Sequence, residues 1–298
     1  MKILVVGAGL YGNTIARLLK DVGHQVEIAE QTNDIGGMCY TYWMHNIEVH
    51  KFGPHIFHTD DEWTWQFVNR FTQFNRYEHH VVAKHGKNKY FLPFNLMLLQ
   101  QFFKKDFDSP FDAQSFLKLR IHEDVTELGI DVNNPKNLEE QAISLIGIEL
   151  YEAFIENYTR KQWHKDPKEL SADIIKRIPV RYDYNISYYN DKYIGIPEDG
   201  YSTMIDHISY GIKKWYNRKI GLTDIQYALK WFDKVIYTGP LDELFSYSFG
   251  QLEWRSLNFD TTTLTVKSAQ GTPCINYVDD DVPYTRIHEY KWYHPEDK

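Results

Sequence analysis

The residues whose types and spacing most plainly invite chemistry are Gly7-Ala8-Gly9-Leu10-Tyr11-Gly12. They follow Ile3-Leu4-Val5-Val6, a short β-branched run that reads as a buried parallel strand. After them Ile15, Leu18, Leu19 and Val22 recur at helical spacing over residues 13–22. Between a strand and a helix, Gly7 permits the tight turn and Gly9 lets the backbone approach a pyrophosphate. Gly12 allows close helix-to-strand packing, and the N–H groups that open the helix face the phosphates. A second strand over residues 25–29 ends at Glu30, whose carboxylate can accept hydrogen bonds from a ribose diol. Acid at that place favours FAD or NAD over NADP. The plainer alternative is a tight glycine turn with no ligand. A second glycine pair, in Asp34-Ile35-Gly36-Gly37, is more typical of FAD than of NAD proteins, an analogy at the level of fold.

The run His50-Lys51-Phe52-Gly53-Pro54-His55-Ile56-Phe57-His58-Thr59 concentrates three of the chain's 13 histidines. A metal site is one reading, but no carboxylate or cysteine stands at a convincing ligand spacing. Neutral histidines lining a cofactor face are the other reading, and the one expected here.

With the glycine turns, Gly53-Pro54-His55-Ile56-Phe57-His58-Thr59 resembles the UDP-galactopyranose mutase family. The resemblance continues through Phe74-Asn75-Arg76, Leu92-Pro93-Phe94-Asn95 and Tyr158-Thr159-Arg160-Lys161-Gln162-Trp163. It goes on through Lys176-Arg177-Ile178-Pro179-Val180-Arg181, Tyr237-Thr238-Gly239-Pro240 and Pro283-Tyr284-Thr285-Arg286. These motifs stand in one order from residue 3 to about residue 292.

The elements that must position these residues can be read from length and pattern. The chain has 298 residues, enough for one large domain or two to three small ones. Hydrophobic residues make up 43% and charged residues 25%, the profile of a globular rather than a disordered chain. Aromatics make up 16%, which favours flat ligand surfaces, although cores absorb most aromatic rings. A formal net charge of −8 argues against a general nucleic-acid binder. No stretch approaches the ~20 apolar residues that span a bilayer, so no membrane insertion is expected. The start of the chain lacks the apolar region of a signal peptide. Cys39 and Cys274 are the only cysteines, without metal-ligand spacing; this suits a reducing cytoplasm and excludes a disulfide scaffold.

Asn137 with Glu140 three residues on is a capping-box start. From there Ala142, Leu145, Ile146, Leu150, Phe154 and Tyr158 predict one long amphipathic helix ending near Trp163. Residues 180–189, 263–266, 274–278 and 284–290 read as strands of an antiparallel sheet, and 234–237 as a strand returning to the first sheet. The expected fold is α/β: a Rossmann-like FAD-binding domain with a helical insertion and an antiparallel β-sheet domain. Its expected pieces are an FAD-binding part over 1–80, a helical substrate domain over 81–176, an antiparallel sheet over 177–192 and 244–298, and a return segment over 193–243.

The resemblance implies an isomerase that interconverts UDP-galactopyranose and UDP-galactofuranose, for cell-surface polysaccharide synthesis, with reduced FAD as cofactor. In that family N5 of the reduced flavin attacks the anomeric carbon and displaces UDP. The resemblance makes Arg177 and Arg286 the arginines that clamp the diphosphate, with Tyr188 adding a hydroxyl; guanidinium gives bidentate contact to phosphate oxygens. Asn75, Thr159, Trp163 and Asn276 match positions that contact the nucleotide sugar. Phe154 and Tyr158 become walls of the uracil pocket, where the plainer reading makes them core knobs of a helical bundle. On the flavin side the matched positions are Gly7, Gly9, Tyr11, Gly12, Glu30, Gln31, Gly37, Met38, His55, Ile56 and His58, with Arg255 also near the flavin. His58 is placed near the isoalloxazine and counted with the two arginines as catalytic. Met38 stands where relatives have a polar Asn, so the side-chain hydrogen bond is expected to be lost and a backbone contact kept. Arg181 reads as structural. The resemblance allows a homodimer.

Relatives in the family continue into a Gly-Gly-Arg turn and a Tyr-rich, Asp-containing stretch that close the flavin site. The flavin site of this 298-residue chain is therefore expected to be incomplete by the family's pattern. Two rival readings remain: a non-catalytic or partner-dependent flavin and UDP-sugar-binding remnant, and an NAD(P)H-linked flavin oxidoreductase, in which the two arginines have no purpose.

Overall fold

The computed structural model describes residues 1–176 and 178–294. The chain divides into two compact units, each assembled from separated stretches. Met1–Tyr77, Asp191–Thr263 and Tyr293–Lys298 form the first; Glu78–Asn190 and Leu264–Trp292 form the second.

In the first unit the apolar run at the start forms the strand Lys2–Val6, which pairs in parallel with Gln25–Ala29 on one side and Lys234–Tyr237 on the other. Lys213–Trp215 extends the sheet beyond Gln25–Ala29, again in parallel. The helix Leu10–Asp21 crosses between the first two strands and buries Ala16 against Val5, Val26 and Ile28. Leu4, Val6 and Ala29 cover the opposite face with Ile220, Phe232 and Val235. Strands buried on both faces and joined by a helical crossover make a Rossmann-like nucleotide-binding fold. Two smaller antiparallel pairs complete the unit. One is the hairpin Thr41–Met44 with Ile47–His50, turned by His45 and Asn46, both at positive φ as a two-residue hairpin of this hand requires. The other pairs Phe57–Thr59 with Tyr193–Gly195.

The second unit carries a mixed sheet in the spatial order Arg286–His288, Cys274–Tyr277, Val81–His85, Asn88–Leu92. Only the central pairing, Cys274–Tyr277 with Val81–His85, is parallel. Helices Leu96–Phe103, Pro110–Leu128 and Leu138–Ile146 start on Asn95, Ser109 and Asn137, whose side chains accept from the N–H three residues on. Sheet and helices share one core, with Ala83, Tyr90 and Val278 packed among Leu98, Leu117 and Leu150. Hence the helical part and the antiparallel strands, apart in the sequence reading, form a single body.

Four local expectations are corrected. The helix after Asn137 is interrupted at Gly147, at φ 81°, and resumes at Ile148, whose N–H donates to Asp124. It then runs through a π-helical turn, Glu152–Glu156, into Asn157–Trp163. Residues 180–189 form a loop with one bridge, Phe94 to Val180, because the Arg181 guanidinium ties the carbonyl of Ser187 and the amide of Asn190 back on itself. Residues 263–266 pair with no strand among the described residues, and the last expected strand shortens to Arg286–His288. No helix of the described residues is long and apolar enough to cross a membrane.

Candidate functional site

The first unit builds a cleft at the carboxyl ends of its parallel strands, the usual ligand position in open α/β sheets. Gly7 has φ +106°, and a Cβ there would lie 2.3 Å from Thr238 Oγ1. At Gly12 a Cβ would lie 2.0 Å from the Gly7 carbonyl oxygen, so helix and turn meet backbone to backbone. Gly9 opens the helix Leu10–Asp21 without any side-chain cap, leaving the first-turn N–H groups to a ligand. The second glycine turn lies against the first: the Gly36 N–H donates to the Ala8 carbonyl at 2.8 Å, and Gly9 and Gly36 form a β-bridge. A Cβ on Gly37 would sit 3.0 Å from the Gly9 Cα. The glycines at 7, 9, 12 and 37 thus come together in one backbone cradle.

Glu30 is buried at the end of the second strand. Its Oε2 accepts from the Ala8 N–H at 2.8 Å, and its Oε1 accepts from the Thr32 N–H and hydroxyl, both at 2.9 Å. Of the roughly four lone-pair sites of a carboxylate, one on Oε2 is left for a ribose hydroxyl. Beside it lies an open cleft lined by Gln31, Arg218, Lys219, Tyr237, Gly239 and Glu243 among others. Sequence reading missed Arg218 and Lys219; their only signal was their place just after a short strand-like Lys-Lys-Trp.

The three histidines of the His50–Thr59 run separate. His50 is buried beside Glu48, with Nε2 3.7 Å from its carboxylate. His55 Nε2 lies 2.9 Å from the Met38 carbonyl, which fastens the second glycine turn by its backbone while the Met38 side chain stays exposed. Burial holds the His55 imidazole below its usual pKa, more than the Met38 carbonyl raises it. His58 Nδ1 sits 3.1 Å from Asp191 Oδ2, a partner 133 residues away that no local pattern announced. Ile56 is half-buried, whereas Tyr11, Gln31 and Arg255 are exposed. Asn75, also in the first unit, is engaged by backbone: Nδ2 donates to the Tyr293 carbonyl at 2.8 Å, and Oδ1 accepts from Tyr77 and Ile196.

The second unit gathers a different set. Arg286 lies opposite Asn276 in the antiparallel pair, so the two share one face of the sheet. The Arg286 Nε donates to the Tyr158 hydroxyl at 3.0 Å, and Nη2 donates to the same oxygen. Among the described residues Arg286 forms no ion pair, which leaves its charge for an anion. Tyr188 stands in the same electrostatic neighbourhood: burial of its phenol end raises its pKa against the pull of the Arg286 charge. Its loop is held by the Arg181 bonds, and the Tyr188 N–H donates to the His79 carbonyl at 2.8 Å. Burial, with the charges of His80 and Arg286, pushes His79 down to about 4, a neutral imidazole at neutral pH. Burial likewise pushes the Cys274 thiol up to about 11, against reactivity. Thr159 is buried and Trp163 half-buried at the end of the helix.

Phe154 does not join this set. It is 4% exposed, with its ring 5.2 Å from Tyr90 and 5.6 Å from Phe94, as the core-knob reading has it. Arg177 lies outside the described residues.

A family model described as UDP-galactopyranose mutase matches residues 153–298, and one described as an NAD(P)-binding Rossmann-like domain matches residues 5–71. The dTDP-fucopyranose mutase of Escherichia coli is 36% identical over 99% of this chain and 78% of its own length. The probable UDP-galactopyranose mutase of Klebsiella pneumoniae is 39% identical over 98% of this chain and 74% of its own length. A crystal structure of reduced UDP-galactopyranose mutase superposes with a TM-score of 0.68 at 16% identity, over 98% of this chain and 70% of that one, a likeness of fold.

Proposed function

Because the chain belongs to the UDP-galactopyranose mutase family, we propose that it is an isomerase of nucleotide sugars, interconverting UDP-galactopyranose and UDP-galactofuranose with reduced FAD. The residues of the first unit fit the cofactor. The uncapped helix start and the bare Gly9–Gly37 approach suit a pyrophosphate, and the remaining lone pair of Glu30 suits an adenosine ribose. Gly7, Gly12, Gln31, Met38, His55, Ile56, Tyr11 and Arg255 are assigned to the same cofactor by their matched positions. Bound and reduced, FAD supplies a nucleophilic N5 for the anomeric carbon of the sugar.

The second unit deals with the leaving UDP. The Arg286 guanidinium, steadied on Tyr158 and free of carboxylates among the described residues, is the observation that carries this reading. Negative charge that grows on the β-phosphate as the glycosidic C–O bond breaks is stabilised by a fixed cation with hydroxyl donors beside it. Tyr158 and Tyr188 supply such hydroxyls, and Asn276 an amide. Arg177 is assigned to the diphosphate by its motif alone. His58, oriented by Asp191, is assigned to the flavin side. Isomerisation has no net redox change, so the flavin stays reduced through each turnover.

The test is turnover. Chain purified with FAD and reduced with dithionite is expected to convert UDP-galactofuranose to the pyranose form, and the oxidised chain is not. Arg286→Ala is expected to lower kcat/KM by about 100-fold or more, the scale for removing a donor from developing charge. Normal kinetics in that variant refutes the diphosphate role. Retained UDP binding without turnover selects the non-catalytic reading. Because one relative carries the name dTDP-fucopyranose mutase, dTDP-fucopyranose is assayed in parallel; a higher kcat/KM for it reassigns the substrate.

A further inference from the structure

Lys161 belongs to the Tyr158–Trp163 motif, yet the proposed mechanism gives it no task. Its Nζ lies 2.6 Å from the carbonyl oxygen of Tyr277 and 2.5 Å from that of Asp279. The carbonyls of Val282 and Tyr284 lie at 3.3 and 3.2 Å. An ammonium has three protons, so these four acceptors share it, and among the described residues none of its bonds goes to a side chain. All four carbonyls belong to the turn that joins Cys274–Tyr277 to Arg286–His288, from the end of one strand to two residues before the other begins. The turn bears Asp279, Asp280 and Asp281, and its outer side is tied by His85 to Asp279 at 2.6 Å and by Lys84 to Asp281 at 3.3 Å.

Lys161 is three residues after Tyr158 on the helix Asn157–Trp163, so the two side chains share a helix face. That face grips the hairpin twice. Lys161 holds the backbone of the turn, and the Tyr158 hydroxyl receives the guanidinium of Arg286. We propose that Lys161 is a positioning residue for Arg286: by pinning the hairpin turn to the helix that carries Tyr158, it sets where the guanidinium stands for a nucleoside diphosphate. The proposal rests on the diphosphate role of Arg286. Without the ammonium, carbonyls turned toward one point have no donor, and the turn must shift to solvate them, carrying the start of the Arg286 strand with it.

The experiment is a double-mutant cycle on UDP affinity, measured by calorimetry on the full chain. Lys161→Met keeps most of the unbranched side chain and removes its donors. It is expected to weaken UDP binding about tenfold, equivalent to ~1.4 kcal/mol. Lys161→Arg, which can still donate to several carbonyls, is expected to recover most of that loss. The loss is expected to vanish in the Arg286→Ala background, because a misplaced guanidinium cannot matter once it is absent. A merely structural lysine gives additive losses instead, and additivity overturns the proposal. Wild-type affinity in Lys161→Met, with Arg286→Ala still impaired, overturns it and leaves the diphosphate role standing. Unchanged affinity in Arg286→Ala removes that role itself. If Lys161→Met does not fold, the cycle is run with Lys161→Gln, and wild-type affinity there assigns the lysine to stability and overturns the proposal.

Discussion

Glu48 is fully buried, and its carboxylate accepts from the Tyr201 N–H at 2.9 Å on one oxygen while His294 Nε2 lies 2.8 Å from the other. Burial alone would raise its pKa, but the hydrogen bond with His294, with the charge of His50 close by, holds it at about 2. The folded value lies below the unfolded one, so the stabilisation is present above about pH 4.5 and is lost as pH falls toward 2. His79 acts over a higher range. Its buried imidazole is held at about 4, so the unfolded chain binds the extra proton first and stability falls as pH drops from 6.5 to 4. Each group changes stability by on the order of 3 kcal/mol over its range. Urea unfolding across pH 7 to 3 is expected to show stability falling throughout. His79→Gln should flatten the upper limb and Glu48→Gln the lower one. Unchanged slopes in both variants refute these assignments. The pairing of Glu48 with His294 was not legible in the sequence, because the two residues stand 246 positions apart.

Among elements, the first turn of the chain was the most legible. Gly7 and Gly12 meet backbone to backbone within six residues, whereas Thr238 and Gly37, which crowd Gly7 and Gly9, come from farther along the chain. Gly12→Ala places a methyl against the Gly7 carbonyl and is expected to cost about 1–3 kcal/mol, the scale of overpacking, together with retained flavin. Flavin absorbance after gel filtration measures the second effect, and wild-type retention speaks against the cradle. Asn137→Ala removes the cap accepted from the Glu140 N–H at 2.9 Å and is expected to cost about 1 kcal/mol of stability without changing UDP affinity. The helix beyond that cap was less legible. Spacing of three and four residues placed Phe154 and Tyr158 on one face, but the π turn over Glu152–Glu156 adds a residue to the winding. Phe154 lies within the core, and Tyr158 packs at the edge of the same core while its hydroxyl meets Arg286. Residues 180–189 misled for a related reason. Their alternation suited a strand, but Arg181 takes its own loop's carbonyls before a neighbouring strand can.

At the scale of the molecule, the chain passes between its two units after Tyr77, Asn190, Thr263 and Trp292, so neither unit is continuous in sequence. Each has its own core, and each carries one half of the proposed ligand set. Hydrogen exchange is expected to separate the halves. FAD should protect the glycine turns and the strand ends near Glu30, and UDP should protect the helix Asn157–Trp163 and the hairpin that bears Arg286. Protection of the glycine turns by UDP alone would contradict this division.

The amino-acid sequence determined by itself the first two strands, the glycine turn between them and the Asn137 cap, because their physics acts between residues a few positions apart. The ordered motifs also placed the chain in its family, two of whose relatives match 98–99% of it. Tertiary structure decided the rest. Which histidine meets which carboxylate, whether Phe154 faces a ligand or the core, and what Lys161 holds all depend on atoms brought together across long loops. Lys161 bonds backbone carbonyls more than 100 residues away, and a carbonyl carries no side-chain signature for a sequence to display.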